Sequence, residues 1–373
     1  KEKTLVVIQL TGGNDFMNTI VPYNNEHYYD ARKKIVISQT DVLPINETLA
    51  INNNARPLKR LFDEGKVAIV QGIGYPNSNR SHFRGMDIWH TCEPDRVGSE
   101  GWLGLAIRDL DPKNENVLTG VNIGQGLPRA MSVAGVPVTS VGDLEGYGVM
   151  NKIEQERLKE RSLQAFKDIY GQAIGSGQVA EYIGKTGLDV LKGADLLANV
   201  ATQYKSSVEY ADNSIAKSLR DVARVHFANL GTRVFYTNHG GYDTHANEMP
   251  THPKLLSDLS GAISDFMDDL KEHDAADDVA ILVFTEFGRR MRDNGSGTDH
   301  GSGGGAFLIG NNVKGGLYSE YPSLNPNDWE HGEDLKHTID FRGIYGTVLE
   351  QWLGLDAKPI VKGEFEQIKP FYI

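Results

Sequence analysis

The sequence predicts an α/β protein built on a doubly wound, mostly parallel central sheet with helices on both faces. Three observations predict it. The runs LVVIQL at 5–10, VAIVQGIG at 67–74 and VAILVF at 279–284 are almost continuously apolar, the pattern of strands covered on both sides. Stretches with apolar residues at helical spacing separate them. Turn-forming residues follow the runs, as in TGGND at 11–15, and the alternation implies right-handed crossovers.

In order, residues 5–10 form the first strand, 57–64 a helix and 67–74 a second buried strand. YPNSNRS follows, then a short amphipathic helix from about 81 to 91. Residues 117–141 alternate short β-like runs (VLTGVNIG, AMSVAG, VPVTSV) with turns. The character changes over 151–230. IEQERLKERSLQAFKDIYG is charged and helical, and SIAKSLRDVARVHFANL at 214–230 has apolar residues at 215, 219, 222, 223 and 227. This stretch is expected as a helical insertion, or cap, within a single domain spanning 1–373. A strand at 233–237, a helix at about 252–272 and the strand 279–284 resume the β-α-β rhythm. AFLIG at 306–310 is a further strand, and FRGIYGTVLEQWLG at 341–354 a helix ended by Gly354. No internal repeat and no low-complexity tract is present.

At 373 residues the chain can bury a large core. Its 41 glycines against 14 prolines suit a loop-rich α/β enzyme. The net charge of −12 argues against a nucleic-acid partner, which requires a basic footprint. Anionic small substrates stay open, because a local metal or arginine outweighs the global field. One cysteine, Cys92, rules out an intramolecular disulfide and a thiolate zinc cluster. No run approaches the ~20 apolar residues of a membrane span. The sequence begins at Lys1 without an initiator Met, which is expected of a processed or trimmed product.

Three motifs in the C-terminal third carry the chemistry: HGGYDTH at 239–245, TEFGRR at 285–290 and GTDHGSGGG at 297–305. Asp243 and His245 lie two apart, so in extended backbone both point to one face and can share a metal. The same residues also suit a turn and helix N-cap. Asp299 and His300 sit in a Gly-rich loop that can converge them on an ion or leave them as a solvated turn. Glu286 ends an apolar strand, as a metal ligand or as an ion-pair partner of Arg289 or Arg290. The arginines can instead fork an anionic substrate. Asn14 and Asp15 follow Gly12 and Gly13, whose sharp turn presents them at the carboxyl edge of the sheet; an Asx turn is the alternative. Ser81 opens a helix, where the positive end favours an alkoxide or an anion, and Ser is also a preferred N-cap. His82, as ligand or base, and Arg80 flank it. Ser78 is a second hydroxyl. The other histidines read as surface or packing residues. GSGGGAFLIG does not open a helix after a strand, so it is no dinucleotide fingerprint, and no phosphate-binding GxxxxGK[ST] occurs.

At QLTGGNDFMNTIVPY (9–23), SHF (81–83), GGYDTH (240–245), TEFGR (285–289), GTDHG (297–301) and DFRGIYGTVLEQWLG (340–354) the chain resembles the domain of unknown function 1501 family. That family is grouped with the alkaline phosphatase-like superfamily of sulfatases, phosphomonoesterases and metal-dependent mutases. The resemblance implies an alkaline phosphatase-like sheet with a one- or two-metal site at its carboxyl edge, holding zinc, manganese or calcium. It implies a small-molecule or saccharide anionic ester as substrate. It also implies a twin-arginine export signal and a periplasmic or extracellular address. Carried over, Asn14 or Asp15 is the first ligand and Ser81 the nucleophile. Asp243, His245 and His300 hold a first metal and Glu286 belongs to a second; independently of the resemblance, Arg80, Arg84 or Arg289 is expected to neutralise the substrate's oxygens. The chain departs from similar enzymes at Gln9 and Leu10, where they place an acid, and at Phe287, where they commonly carry a histidine. No C-x-P-x-R signature surrounds Ser81, which argues against a formylglycine mechanism. A catalytically inactive exported binding or assembly protein is the alternative.

Overall fold

The structure is a computed structural model and describes residues 1–147 and 156–372. The first residues of the expected helical insertion lie outside the described residues.

Nine strands form the main sheet: β1 (Thr4–Leu10), β2 (Val67–Gly74), β3 (Gly120–Ile123), β4 (Thr139–Val141), β5 (Val234–His239), β6 (Val279–Thr285), β7 (Gly304–Ile309), β8 (Gly316–Tyr318) and β9 (Ile339–Asp340). Their spatial order is β8-β2-β7-β6-β1-β5-β3-β4, with β9 also on β2. Every pairing is parallel except those of β7, which runs antiparallel to both β2 and β6. The sheet is thus mixed and mostly parallel. A small antiparallel sheet of Ile20–Val21, Val42–Pro44 and Ala50–Asn52 packs beside it.

The unbroken apolar runs are explained by two cores, one on each face. Val6, Ile8 and Leu10 point into a cluster with Leu58, Leu219, Val222, Ile263 and Phe266. Those residues come from α1 (Arg56–Asp63), α6 (Ser214–Phe227) and α7 (Glu248–Glu272). Leu5 and Val7 point the other way, to Trp89, Trp102, Phe341 and Tyr345. These belong to α2 (His82–Thr91), α3 (Trp102–Leu110) and α8 (Phe341–Thr347). Trp102 stacks on Tyr345 at 3.8 Å between centroids and Trp89 on Phe341 at 4.3 Å. Each such buried side chain is worth about 1.5–3 kcal/mol.

Three elements differ from expectation. AMSVAG is a 3-10 turn at Arg129–Met131, not a strand. The N–H of Met131 closes on Pro128 and that of Ala130 goes to His90 Nδ1, so neither is free for a ladder. Helix α7 begins at Glu248 rather than near 252, because Pro250 in its first turn gives up an N–H with no helical partner anyway. Within 151–230, α4 (Glu156–Ala173) and α5 (Gln178–Leu197) pair, while α6 packs under the sheet as the crossover into β5.

A buried polar network lies beneath the loop after β1. Arg32 Nη1 meets Asp15 Oδ2 at 2.6 Å, both side chains fully buried. Its Nε and Nη2 donate to the carbonyls of Met291 and Arg290, each at 2.9 Å. Asn14 Oδ1 meets His252 Nε2 at 2.8 Å, and the Asn14 N–H donates to Thr285 Oγ1 at 3.0 Å. Burial works against the Asp15 charge, but Arg32 and then His252 hold its carboxyl below the usual range. Burial, aided by the Asp15 charge, holds the neighbouring Glu248 well above it. One acid is ionised and one protonated, so one buried cation faces one anion. Asn14 and Asp15, expected as a first metal ligand, are instead partners in this network.

Gly12, at φ +124°, lets the loop after β1 touch the loop after β5: a Cβ there would lie 2.2 Å from the Asp243 nitrogen. Gly12→Ala is expected to cost about 2–4 kcal/mol in urea unfolding, from the clash and the disallowed φ. Glu248 is protonated in the fold and ionised in the unfolded chain. Its contribution is therefore full below the ordinary carboxylate pKa and lost as pH rises. Glu248→Gln keeps a neutral donor in place. Its stability should fall less steeply than wild type between about pH 5 and pH 8, the difference approaching about 1.4 kcal/mol per pH unit.

Candidate metal centre

Register brings the motifs together. Leu10 of β1 pairs with His239 of β5 on one side and Thr285 of β6 on the other. The three strands end level, and the loops 11–15, 240–245 and 286–290 leave side by side. Strand β2 runs the same way and leads from this edge to α2. Because β7 is antiparallel, the loop before it, 297–303, arrives at the same edge. Backbone bonds pin that loop to its neighbour: Arg290 N–H to Asp299 O at 3.0 Å and Gly301 N–H to Gly288 O at 2.9 Å.

At this edge Asp243 Oδ1 lies 3.0 Å from His245 Nε2 and 3.0 Å from His300 Nε2, and the two imidazole nitrogens are 2.9 Å apart. The opposite ring nitrogens fix the tautomers. His300 Nδ1 is 2.7 Å from the Arg80 carbonyl oxygen, which only accepts, so Nδ1 carries the proton. His245 Nδ1 is 3.2 Å from Asp299 Oδ1, which is itself held by Asn294 Nδ2 at 3.1 Å. In its neutral form each ring then turns the lone pair of Nε2 toward Asp243. Partial burial opposes the Asp243 charge, but the adjacent His300 ring and the hydrogen bond and charge of Arg289 outweigh it and hold the carboxyl at about 2. Burial pushes the pKa of His300 below its ordinary value.

His82 completes the group. Its ring lies 4.2 Å from His300 and 5.0 Å from Phe287, between centroids. Its Nε2 is 3.2 Å from Asp243 Oδ2, yet buried and without a hydrogen bond. The separation is short enough for an ion pair, but the alignment is not that of a hydrogen bond. His82, Asp243 and His300 are also spaced to share an ion.

These residues fit a metal. An orphaned imidazole nitrogen and two further imidazole lone pairs converge on a carboxylate whose one cationic donor among the described residues is Arg289, so the imidazole nitrogens face an acceptor with no proton between unless a cation intervenes. Ligand atoms about 2.0–2.1 Å from a common zinc lie about 3.3 Å apart, close to the spacings seen. Arg80 and Asp299 stand where outer partners orient metal-bound imidazoles.

The remaining expected residues fall elsewhere. Glu286 is buried, and its Oε1 accepts the Gly12 N–H at 2.6 Å. Its Oε2 has no hydrogen-bond partner among the described residues, and burial pushes the carboxyl up to about 7. It is not in the three-residue group, and the neighbouring Phe287 packs at 4.5 Å on the His300 ring. Arg289, expected on substrate oxygens, is wholly inside the protein. Nε donates to Gly13 O at 2.6 Å and Nη1 to Thr298 O at 2.7 Å. Nη2 donates to Gly12 O, to Tyr242 O at 3.0 Å and to Asp243 Oδ1 at 3.0 Å. The Arg80 guanidinium is taken by Asp334 at 2.6 Å, and Arg84 by Asp87 and three carbonyls. Ser81 is the N-cap of α2, but its hydroxyl makes no capping bond, and Asn79 Oδ1 takes its N–H instead. Sequence reasoning missed Asn294 and the Arg80 carbonyl. Asn294 lies in a DNGSG turn that gave no chemical signal, and a carbonyl gives none at all. No described hydrogen bond or ion pair of the cluster involves residues 156–230.

Arg289→Met should cost about 3–5 kcal/mol in urea unfolding, by stranding buried carbonyls and the Asp243 charge. Arg289→Lys should recover only part, since one ammonium cannot serve the three directions.

Among solved structures the chain is similar to the PsFucS1 sulfatase of Pseudoalteromonas sp., at 12% identity and TM-score 0.43, over 99% of this chain and 71% of that one. It is also similar to a protein in the alkaline phosphatase superfamily from Vibrio parahaemolyticus (11%, TM-score 0.39, 98% and 69%). A third is the zinc complex of the C-terminal periplasmic domain of EcEptC from Escherichia coli (8%, TM-score 0.40, 96% and 83%). TM-scores below 0.5 leave the chemistry of the site to its own residues. No curated protein matches the sequence. The family described as "Protein of unknown function (DUF1501)" matches residues 73–362, and with most of its length inside that match the chain belongs to the DUF1501 family.

Proposed function

We propose that this protein is a metal-dependent hydrolase of phosphate or sulfate esters. The observation that supports it is the convergence of His245, His300 and Asp243 at 2.9–3.0 Å, with the lone pairs of both imidazoles turned inward by their outer partners. His82, Asp243, His245 and His300 hold one divalent cation. A set rich in imidazole suits zinc better than manganese or calcium, which favour oxygen ligands. When bound, such a metal polarises the ester oxygen and lowers the pKa of a coordinated hydroxyl or water.

The chain's own groups do the rest. Arg80 and Asp299 hold the imidazoles in one tautomer. Phe287 shields one side of His82 and His300 from water. Ser81, whose hydroxyl is not used for capping, presents it at the positive end of the ten-residue helix α2, to attack in line or to orient water. Glu286, held near neutrality, is a proton acceptor or donor at the base of the site and not the ligand of a second metal. Residues 1–373 act as one domain, in which α4 and α5 form the helical insertion and α6 belongs to the sheet's own crossovers. The substrate is an anionic ester of a small molecule or saccharide, and the address is periplasmic or extracellular. No helix among the described residues is long and apolar enough to cross a membrane.

One observation favours an inactive binding protein: Arg80, Arg84 and Arg289 are all committed to protein acceptors, so no arginine among them is free for an oxyanion. Elemental analysis and turnover of aryl phosphate and sulfate esters separate the readings. The purified protein should carry about one transition metal per chain, and His300→Ala or Asp243→Ala should lose it. Ser81→Ala should keep the metal and lower kcat by at least about 100-fold. Metal-bearing protein without turnover on either ester class supports the binder, and metal-free protein removes the hydrolase.

A further inference from the structure

A cavity of about 550 Å³ opens on the far side of His82, lined by His82, Phe83, Met86, His90, Val97 and Arg129 among others. It adjoins the candidate metal centre, because Ser81 and His82 line it and His82 Nε2 lies 3.2 Å from Asp243 Oδ2. Two large apolar side chains flank it in the open: Phe83 is 91% exposed and Val97 76%. Single exposed apolar residues are ordinary, but two bordering one hollow beside a reactive centre mark a binding surface.

The lining carries two guanidinium groups, and both are paired with the single carboxylate of Asp87. Asp87 receives Arg84 on Oδ2 and Arg129 Nε on Oδ1 at 2.8 Å. Arg129 Nη2 also donates to the Gly98 carbonyl. The floor is neutral and internally satisfied. His90 Nδ1 accepts the Ala130 N–H at 3.1 Å, so its Nε2 donates to Gln9 Oε1 at 2.8 Å. Burial and then Arg129 hold His90 at about 4, uncharged near neutrality. Gln9 Nε2 lies 2.6 Å from Met86 Sδ. Both guanidinium groups already have protein acceptors, and a short alkyl group would leave Phe83 and Val97 in water.

We propose that this cavity is the subsite for the alcohol portion of the ester, and that it selects a six-membered ring presenting a flat apolar face to Phe83. The proposal rests on the oxyanion-binding reading of the neighbouring cluster. An aromatic ring and the apolar face of a pyranose share this chemistry.

Calorimetric titration of the zinc-loaded protein with non-hydrolysable phosphonates tests it without turnover. Phenylphosphonate and methylphosphonate carry the same anionic head, and a glucopyranosyl phosphonate distinguishes sugar from aryl rings. Phenylphosphonate should bind at least about ten-fold tighter than methylphosphonate, as burial of most of one ring face allows. Phe83→Ala should bring that ratio close to one with methylphosphonate affinity unchanged, and Phe83→Trp should restore it. Phe83 is so exposed that its replacement leaves folding within about 0.5 kcal/mol. A tighter pyranosyl than phenyl ligand assigns the ring as a sugar, and the reverse order as an aryl group. Equal affinity for phenyl and methyl heads, or a ratio that survives both Phe83→Ala and Val97→Ser, overturns the subsite alone. If no phosphonate binds the metal-loaded protein, the oxyanion reading falls with it.

Discussion

The guanidinium of Arg289 is the interaction on which this edge of the molecule depends. It comes from the loop after β6 and donates to carbonyls of the loop after β1, the loop after β5 and the loop before β7, and also to Asp243. The loops after β1, β5 and β6, far apart in sequence, and the loop before β7 are therefore fixed to one planar cation. A delocalised fork with five donors meets several fixed acceptors at once, which an ammonium cannot. Burying it is tolerable only because its Nε and both terminal nitrogens find acceptors and Asp243 supplies an opposite charge. That same charge keeps the Asp243 carboxyl ionised toward its histidines.

Sheet topology explains why such distant segments meet. Three parallel strands ending level give three loops on one edge, the usual place for a ligand in an open α/β sheet. The reversed strand β7 adds a fourth by presenting the loop that precedes it. His300 is thus delivered at the carboxyl edge although it lies before its strand, and the 288–290 and 299–301 backbones lock that placement. The twin cores on the two faces make this arrangement rigid, since β1 alone alternates Leu5 and Val7 with Val6, Ile8 and Leu10 between them.

Much of the fold was legible because its central strands are buried on both faces and so contain little but aliphatic residues. β1, β2 and β6 could hardly be anything else. The short strands Gly120–Ile123 and Thr139–Val141 lie toward one side of the sheet, among turns, and their pattern does not separate them from the 3-10 turn at Arg129–Met131. At the site, Asp243, His245 and His300 stood out because polar groups on Gly-rich loops after apolar runs have few packing uses. Asn14 and Asp15 met the same description and belong to a buried network instead. The difference is Arg32, Glu248 and His252, partners up to 238 residues away, and no local pattern announces them. Arg289 likewise reads as a substrate clamp until its acceptors are known, and these are backbone carbonyls without a sequence signature.

The reversed strand also has a consequence for the order of folding. Three of the four inward-facing groups lie beyond residue 240, and His300 is placed only when β7 inserts between β6 and β2 in opposite sense. Contacts of such long sequence separation form late, after the loop entropy between them has been overcome. A nascent chain that has emerged as far as β6 can already bury much of its first core, yet it lacks His300. The inward-facing cluster is then assembled last, after the hydrophobic collapse and not as a nucleus for it.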